Sequence, residues 1–438
     1  MHKNIVYILI FLAALALPLH SQEEIGHQPD MDPQEEVIED SLFDADVITS
    51  IEIIGLKRTQ LHVAKYPLEK FIGHKKSDFD ENEVFAVVKN MSVLEPVSAK
   101  LIENEDGIVL RIRVEEKWTI FPFPFVYAGS GGETNFGLFF CDFNAFGLCD
   151  MAVFGGAYGS NGWSAIGMYN HTPDRQGVPG ISAVFMYTYR ENEDADSNEE
   201  LIRRYFANRL FLSLGFNYNF LEFLNGSVSL YFSDISLKND DKDDEIFNTP
   251  EKDARFAGIT PRLSLRNNSW DGYFLSSKSF SLEYGFNYAI SGSSYHHVEY
   301  RGSFEHSLIP GFRLISRSAG SWKSTSEPLF EDGPQKAGVN ILPSNYSALY
   351  YAGVSAGLEK YIYKNRWGTL SIQGSWQAVF SYGQSSERQK NEVEFNHGPS
   401  GGIVFYLSRL ALPAIGSNFA YNMITGLYQS SFSVGMSF

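Results

Sequence analysis

The last eleven residues of the chain alternate between two kinds of side chain, and this pattern constrains the fold more than any other. The apolar face of an extended strand here consists of Tyr428, Phe432, Val434, Met436 and Phe438. Small or polar residues fill the opposite face, because side chains alternate across a strand with period two. Such a strand is typical of a β-barrel with lipid outside and water inside. An edge strand of a soluble β-sandwich is the alternative.

The start of the chain predicts the compartment. His2 and Lys3 precede an apolar run from Ile5 to Pro18, and Ser21 suits a cleavage point, so residues 1–21 are expected to be a secretory signal peptide. The run is too short to span a bilayer. No later stretch approaches twenty consecutive apolar residues, which argues against a helical membrane protein and leaves a closed barrel as the spanning structure.

Composition and motifs predict neither nucleic-acid binding nor catalysis. A net charge of −17 is unsuited to phosphate backbones, and two cysteines are too few for a disulfide scaffold or a zinc site. The Gly353–Gly357 segment matches the G-x-S-x-G nucleophile motif, which requires a helix after the serine. Here the following residues continue as a strand instead. His296 and His297 would point to opposite faces of a strand. We expect no enzyme, no metal site and no cofactor.

Three regions follow the leader. Residues 22–44 are acidic and predict a flexible linker. Residues 45–118 predict a small α+β domain with the order strand, helix, helix, strand, strand. Its expected parts are a strand Ile48–Ile54, a helix capped by Thr59 and bent at Pro67, a second helix capped by Asp80, and a hairpin of Pro96–Ile102 and Ile108–Val114.

Residues 119–438 predict an all-β transmembrane barrel of about sixteen antiparallel strands, the even number that single-chain barrels require. Long polar connections are expected only after odd-numbered strands of the barrel, at 191–202, 238–254, 324–350 and 384–397. The remaining connections are short, for example at Pro310 and Asn365. Long loops on one side and short turns on the other are typical of outer-membrane barrels.

The seam between the first and last strands has its own signals. Phe121–Tyr127 is the expected first strand, and it would close against Tyr428–Phe438. Pro122 and Pro124 lie two residues apart, so their missing N–H groups fall on the same edge. Proline is normally confined to strand edges and starts. We therefore expect a weak seam formed by Pro122, Pro124, Phe432 and Phe438, unless the prolines merely end the segment that leads into the barrel.

Several motifs resemble one known family. Ile51-x-Ile53-x-Gly55-x-x-Arg58-Thr59 and the strand ending at Val114-Glu115-Glu116 resemble a POTRA (polypeptide-transport-associated) domain. The segments Gly137-x4-Asp142-x-Asn144-x-Phe146-Gly147 and Trp270–Leu275, and the terminal Phe438, are similar to the barrel of the BamA/TamA-like outer-membrane protein assembly factors, the bacterial surface antigen family. The resemblance implies an outer-membrane protein with a single periplasmic POTRA-like domain.

The resemblance also implies a function and a lumen site. Members of this family insert or export polypeptide clients. A client would add a strand to the POTRA sheet and leave through the opened seam. The implied partners are lipid, unfolded polypeptide clients and periplasmic accessory proteins. A passive porin-like channel with a docking domain is the alternative. The family's loop arginine meets a glutamate and an aspartate, but Asn340, Glu359 and Ser381 occupy those places here, so an arginine and one carboxylate are missing.

The two cysteines are candidates for a disulfide. Cys141 and Cys149 flank the expected tight connection Asn144–Gly147, and an oxidising compartment permits a bond between them. A register shift of one residue would instead place them on opposite faces.

Overall fold

The computed structural model describes residues 46–104, 107–128, 134–159, 162–171, 179–238, 253–270, 274–325, 333–334, 338–385, 390–407 and 414–435. The predicted signal peptide and acidic linker therefore lie outside the described residues. So does Phe438.

A small α+β domain comes first. Its elements are β1 (Ile48–Ile54), α1 (Leu61–Lys65), 3₁₀ turns at Tyr66–Phe71 and Lys76–Asp78, α2 (Glu81–Asn90), β2 (Leu94–Asn104) and β3 (Gly107–Glu116). The sheet order is β1-β3-β2, with β1 parallel and β2 antiparallel to β3. Val84 and Val88 of α2 pack on Leu110 and Ile112 of β3 in a buried core. This matches the element order predicted from the sequence.

The helix starts of this domain differ in how they are capped. The Asp80 side chain accepts a hydrogen bond from the N–H of Asn82 and caps α2, as predicted. The Thr59 prediction is wrong: Gln60, not Thr59, is the N-cap residue of α1, and its side chain makes no capping hydrogen bond. Pro67 lies in a 3₁₀ turn that follows α1 directly, which agrees with the expected bend, because proline disrupts the α-helical bond pattern.

The rest of the described chain is one sixteen-stranded antiparallel sheet whose strands pair in sequence order. The strands are β4 (Ile120–Ala128), β5 (Thr134–Ala145), β6 (Asp150–Gly159), β7 (Gly162–His171), β8 (Gly180–Ala195), β9 (Leu201–Leu221), β10 (Leu224–Lys238), β11 (Ala254–Trp270), β12 (Leu275–Ser291), β13 (Tyr295–Ile309), β14 (Phe312–Lys323), β15 (Ala348–Lys364), β16 (Gly368–Ser385), β17 (Lys390–Leu407), β18 (Ala414–Tyr421) and β19 (Tyr428–Gly435). The expected number of strands is confirmed.

The strands alternate apolar and polar faces as predicted. In β9, Leu212, Leu214, Phe216 and Tyr218 are all exposed. In β15, Val354 and Leu358 face outward, whereas Glu359 is buried on the inner face. The Gly353–Gly357 segment lies within β15, so it forms no strand-turn-helix nucleophile motif. Neither α1 nor any other helix in the described part of the chain is long and apolar enough to cross a membrane.

Two of the four predicted long loops are wrong. The connections at 238–254 and 324–350 agree with β10 ending at Lys238 and β14 ending at Lys323. In contrast, β8 reaches Ala195 and β9 begins at Leu201, and β16 and β17 similarly fill most of 384–397. Polar strands persist at 191–202 because Glu193 lies opposite Arg204 in the ladder and forms an ion pair with it.

Candidate functional site

The carboxylate of Glu116, the last residue of β3, organises the junction between the small domain and the barrel. It accepts backbone N–H hydrogen bonds from Lys57 at 2.9 Å, Arg58 at 3.0 Å and Thr59 at 2.7 Å. Partial burial acts to raise the pKa of Glu116, but the three N–H donors outweigh it and hold the pKa below its usual range. The β1–α1 loop is thereby fixed to the end of β3.

Arg58 extends this contact to the barrel. Its Nη2 lies 2.8 Å from Oδ2 of Asp142 in β5, and its Nη1 donates to Oγ1 of Thr119 at 2.7 Å. The hydrogen bond with Asp142 is the main cause that raises the pKa of Arg58. Because the Arg58 side chain is 41% exposed, the ion pair contributes no more than about 1 kcal/mol. It specifies the orientation of the two parts more than it stabilises them.

The β5–β6 turn completes the junction through uncharged groups. Nδ2 of Asn144 donates to Oγ1 of Thr59 at 2.9 Å, and the Gln60 N–H donates to the Gly147 carbonyl at 2.8 Å. Gly147 has φ of +75°, and an added Cβ would come within 2.2 Å of the Arg58 carbonyl oxygen. Only glycine fits this close approach. The residues of the two motifs that resemble POTRA and barrel segments therefore bind each other.

The structure does not contain the expected disulfide. Cys141 and Cys149 are both free. Cys141 lies opposite Val153 in the β5–β6 ladder, whereas Cys149 precedes Asp150 in the turn and packs against the core of the small domain. Burial, together with the nearby carboxylate of Asp150, raises the pKa of Cys149 to about 12. A register shift after Asp142 separates the two thiols, so they do not face each other across the hairpin.

The connection between β14 and β15 enters the lumen and is held there by apolar packing. Val339, Ile341, Leu342 and Tyr346 are buried in a cluster with residues of the barrel wall. Full burial of an aliphatic side chain contributes about 1.5–3 kcal/mol, so three such residues stabilise this position strongly.

The three predicted lumen residues do not form one site. The N–H of Asn340 donates to Oε1 of Gln377 at 2.7 Å, and Ser381 accepts a 2.7 Å hydrogen bond from the Tyr346 hydroxyl. Glu359 is far closer to the inner ends of the strands and contacts neither. The interpretation of Glu359 as a partner for this loop is wrong.

Glu359 instead pairs with an arginine of the barrel wall. Nη2 of Arg313 lies 2.8 Å from Oε2 of Glu359, and Nη1 lies 2.9 Å from Oε2 of Glu305. Arg313 also donates to the hydroxyl of Tyr406 at 2.8 Å and stacks over the ring of Phe274, 4.6 Å from its centroid. All the charged members are buried. This cluster joins β13, β14, β15 and β17 near their inner ends.

The outer end of the lumen is occupied by the β8–β9 connection. Arg203, fully buried, donates to Oγ of Ser347 at 3.0 Å, and the Ala195 N–H donates to the Asn345 carbonyl at 3.0 Å. The next contact reaches the last strand, where Nε2 of Gln429 donates to Glu199 at 2.6 Å. These contacts join strands far apart in the sheet order and fill the space that the strands enclose.

The predicted seam residues lie on the two terminal strands. Pro122 and Pro124 occupy β4, opposite Phe140 and Leu138 of β5, in a ladder without register shifts. Phe432 is in β19, whose described partner is β18. If the proline nitrogens faced β5, the β4–β5 ladder would lose two hydrogen bonds. The ladder keeps these bonds if both nitrogens lie on the other edge of β4, the edge at the seam.

Solved structures share this architecture. BamA from Haemophilus ducreyi lacking POTRA domains 1–3 is 10% identical, covering 88% of this chain and 84% of that chain, with a TM-score of 0.51. CdiB from Acinetobacter baumannii is 12% identical and CdiB from Escherichia coli 10%, each covering 89% of this chain and 74% of that chain, with TM-scores of 0.56 and 0.60. The chain has the fold of BamA and CdiB. No protein-family model and no curated protein matches it in sequence.

Sequence reasoning missed two sets of contacts in the candidate site. The junction contacts were missed because Arg58 and Asp142 are 84 positions apart and no local pattern connects them. The Arg313 cluster left a usable signal: register places Arg313 directly opposite Glu359, and a charge at an inward position of a barrel strand requires a partner.

Proposed function

We propose that the protein is an outer-membrane barrel that inserts or translocates polypeptide clients, with its small domain in the periplasm. The observation that carries this proposal is the fixed contact of a small α+β domain with the first hairpins of a barrel that has the BamA and CdiB fold. The outward apolar residues of the strands suit a lipid environment. The polypeptide partners are inferred from the fold and from the edge strand described next.

A client would bind at the free edge of β2. This strand pairs only with β3 among the described residues. Its outer backbone groups are therefore available to an extended peptide, except the Ala99 N–H, which donates to Oε1 of Glu81 at 3.1 Å. Strand addition satisfies these groups without requiring a particular client sequence. We therefore assign the POTRA-like role of client binding to the small domain.

The occupied lumen favours this role over a passive porin-like channel. The β8–β9 connection contacts Ser347 and the last strand, and apolar residues of the β14–β15 loop fill the middle of the lumen. An open pore would require both to leave, whereas lateral release through the seam would not. Asn340 is then part of a loop retained by apolar burial, without the arginine–carboxylate lock that the family resemblance implies, and Ser381 is a residue of β16 that accepts a hydrogen bond from Tyr346 of this loop.

The seam provides the test. Replacing Pro122 and Pro124 with valine restores two N–H donors, each contributing about 0.5–1.5 kcal/mol of net hydrogen bonding. We expect slower insertion of an unfolded barrel client into liposomes, with unchanged folding of the variant itself. Pro261→Val, in β11 far from the seam, is the matched control.

Single-channel conductance of the same liposomes separates the two functions. Polypeptide insertion with little conductance supports the proposal. Steady conductance without client insertion would instead identify a porin-like channel. Unchanged insertion by the proline variant would argue against release through this seam while leaving client binding by the small domain open.

A further inference from the structure

The outer, lipid-facing wall of the barrel contains a notch in which three neighbouring positions carry small residues. Strand register aligns Phe280 of β12, Gly302 of β13 and Ser318 of β14 in one row. In the next row, Phe304 of β13 lies opposite Ser316 of β14. Phe280 and Phe304 are exposed and flank a cavity of about 390 Å³. Ligand sites typically have volumes of about 300–1,000 Å³, so the notch is large enough to hold part of a small molecule.

Two serine hydroxyls in this notch are available to a ligand. Ser316 and Ser318 alternate along β14 with Ile315 and Ala319, which are buried on the inner face, so the serines point outward. Neither serine side chain makes a hydrogen bond to another residue in the described part of the chain. The hydrocarbon region of a bilayer offers no water to an unpaired hydroxyl, so leaving it there without an acceptor is unfavourable. A bound molecule with carbonyl oxygens would supply the acceptors.

A lysine lies beside the notch, toward the end of the barrel that carries the small domain. Because β4 begins at that end and successive strands alternate in direction, β12 also begins there. Lys278 follows the first residue of β12, Leu275, by three positions and is exposed on the outer face. Its Nζ lies 5.5 Å from the centroid of the Phe304 ring, and no carboxylate pairs with it among the described residues. Lysine near the end of a spanning strand can extend its ammonium group to the level of the lipid headgroups.

We propose that this notch binds one anionic glycerophospholipid. The Lys278 ammonium group contacts the lipid phosphate, and the hydroxyls of Ser316 and Ser318 donate to the ester carbonyl oxygens. An acyl chain lies over Gly302, where no side chain occupies the space. Neighbouring strands are about 4.8 Å apart, so Lys278 and Ser316, with β13 between them, are about 10 Å apart, a distance that a lysine side chain and a glycerol phosphate span together. Such a site requires only a barrel in a bilayer and does not depend on the handling of polypeptide clients.

Native mass spectrometry of the full-length protein in detergent tests the headgroup contact. Phosphatidylglycerol, which is anionic, and phosphatidylcholine, which has no net charge, are titrated separately into the native protein, Lys278→Gln and Lys360→Gln. Lys360 is the matched control, because it is exposed on the outer face of β15 near the same end but lies between Phe312 and Ile372 and lines no notch. We expect Lys278→Gln to weaken phosphatidylglycerol binding about fivefold, the effect of one basic residue near an anionic lipid surface. Phosphatidylcholine binding, and the affinities of Lys360→Gln, should stay as in the native protein.

Filling the notch distinguishes a shaped site from general attraction between lysine and lipid. Ser318→Leu places a bulky side chain beside Gly302 and should abolish saturable binding of both lipids. Its control is Ala378→Leu, at an outward position of β16 opposite Val354 that does not line the notch, and this variant should bind both lipids as the native protein does. Thermal unfolding in detergent establishes that each variant is folded.

Three results would overturn the proposal. The first is an equal effect of the two lysine variants, which would indicate attraction by any outward cation. The second is an equal effect of the two leucine variants, which would show that the notch holds no acyl chain. The third is equal affinity of the native protein for the two lipids, which would exclude recognition of the anionic headgroup.

Discussion

Replacement of Glu116 by glutamine should loosen the junction between the small domain and the barrel. The carboxylate accepts three backbone N–H groups, from Lys57, Arg58 and Thr59. A hydrogen bond to a charged group contributes about 1.5–3 kcal/mol, but Glu116 is only partly buried and the glutamine retains one acceptor oxygen. We therefore expect the variant to lose about 2 kcal/mol of local stability at the β1–α1 loop, after this discount for solvent.

Hydrogen exchange measures this loss directly. About 2 kcal/mol corresponds to roughly thirtyfold faster exchange of the amides of residues 57–59. Glu115→Gln is the matched control, since its exposed side chain belongs to the adjacent position of β3 and makes no hydrogen bond among the described residues. Equal exchange in the two variants would refute the assignment of Glu116 as the junction acceptor.

The pH dependence of the same amides gives an independent check. The pKa of Glu116 is lowered in the folded protein from an ordinary value of 4.5. The stabilisation by the Glu116 carboxylate is therefore fully present above about pH 4.5, and it is lost as the pH falls through the lower pKa of the folded protein. Protection corrected for intrinsic exchange should decline in acid for the native protein but not for Glu116→Gln.

Two further substitutions test the lumen cluster and the close approach at the junction. Arg313→Met removes the partner of buried carboxylates and should lower the free energy of unfolding by about 3–5 kcal/mol, which would lower the thermal unfolding temperature in detergent. The control Arg301→Met, at a half-exposed position of β13, should change this temperature little. Equal shifts in the two variants would contradict the assignment. Gly147→Ala should expose the junction to protease, because the added Cβ would collide with the Arg58 carbonyl oxygen. The control Gly73→Ala has a similar positive φ but open space around it. It should be destabilised only by the backbone strain of about 1–2 kcal/mol. Identical protease patterns would show that the contact is unimportant.

The barrel could be predicted from the sequence because its information is local. Alternation in a strand such as Leu212–Tyr218 depends on neighbouring positions only, and turns such as that at Pro310 mark strand ends. The prediction failed where two signals opposed each other. Residues 191–202 have the polar composition of a loop, yet β8 continues to Ala195 and β9 begins at Leu201. The Glu193–Arg204 ion pair supports this extension of the ladder, because opposite charges directly across a strand pair stabilise it.

The candidate site was harder to predict because its contacts are not local. Glu359 was identified as a carboxylate of interest, but its partner was sought in the loop at Asn340 rather than in the adjacent strand. The partner is Arg313 of the barrel wall, which the strand register places directly opposite Glu359. Its position does not depend on the conformation of the loop. Apolar burial of Ile341 then replaces the charge pair as the device that retains the loop.

The segment that joins the small-domain sheet to β4, the first strand of the barrel, is short and is fixed along its length. A client on β2 would be hydrogen-bonded to a strand that pairs with β3, and β3 ends at Glu116, four residues before β4 begins. The intervening residues could span about 10–13 Å if free, but Thr119 is buried and hydrogen-bonded to Asp142 at 3.2 Å, and Arg58 and Gln60 bind the same hairpin. The small domain therefore cannot rotate beneath the barrel without breaking these bonds or carrying the β5–β6 turn with it. Because β5 is the sole described neighbour of β4, such a movement would pull on the strand that borders the seam, whereas a domain on a free tether would transmit nothing to it.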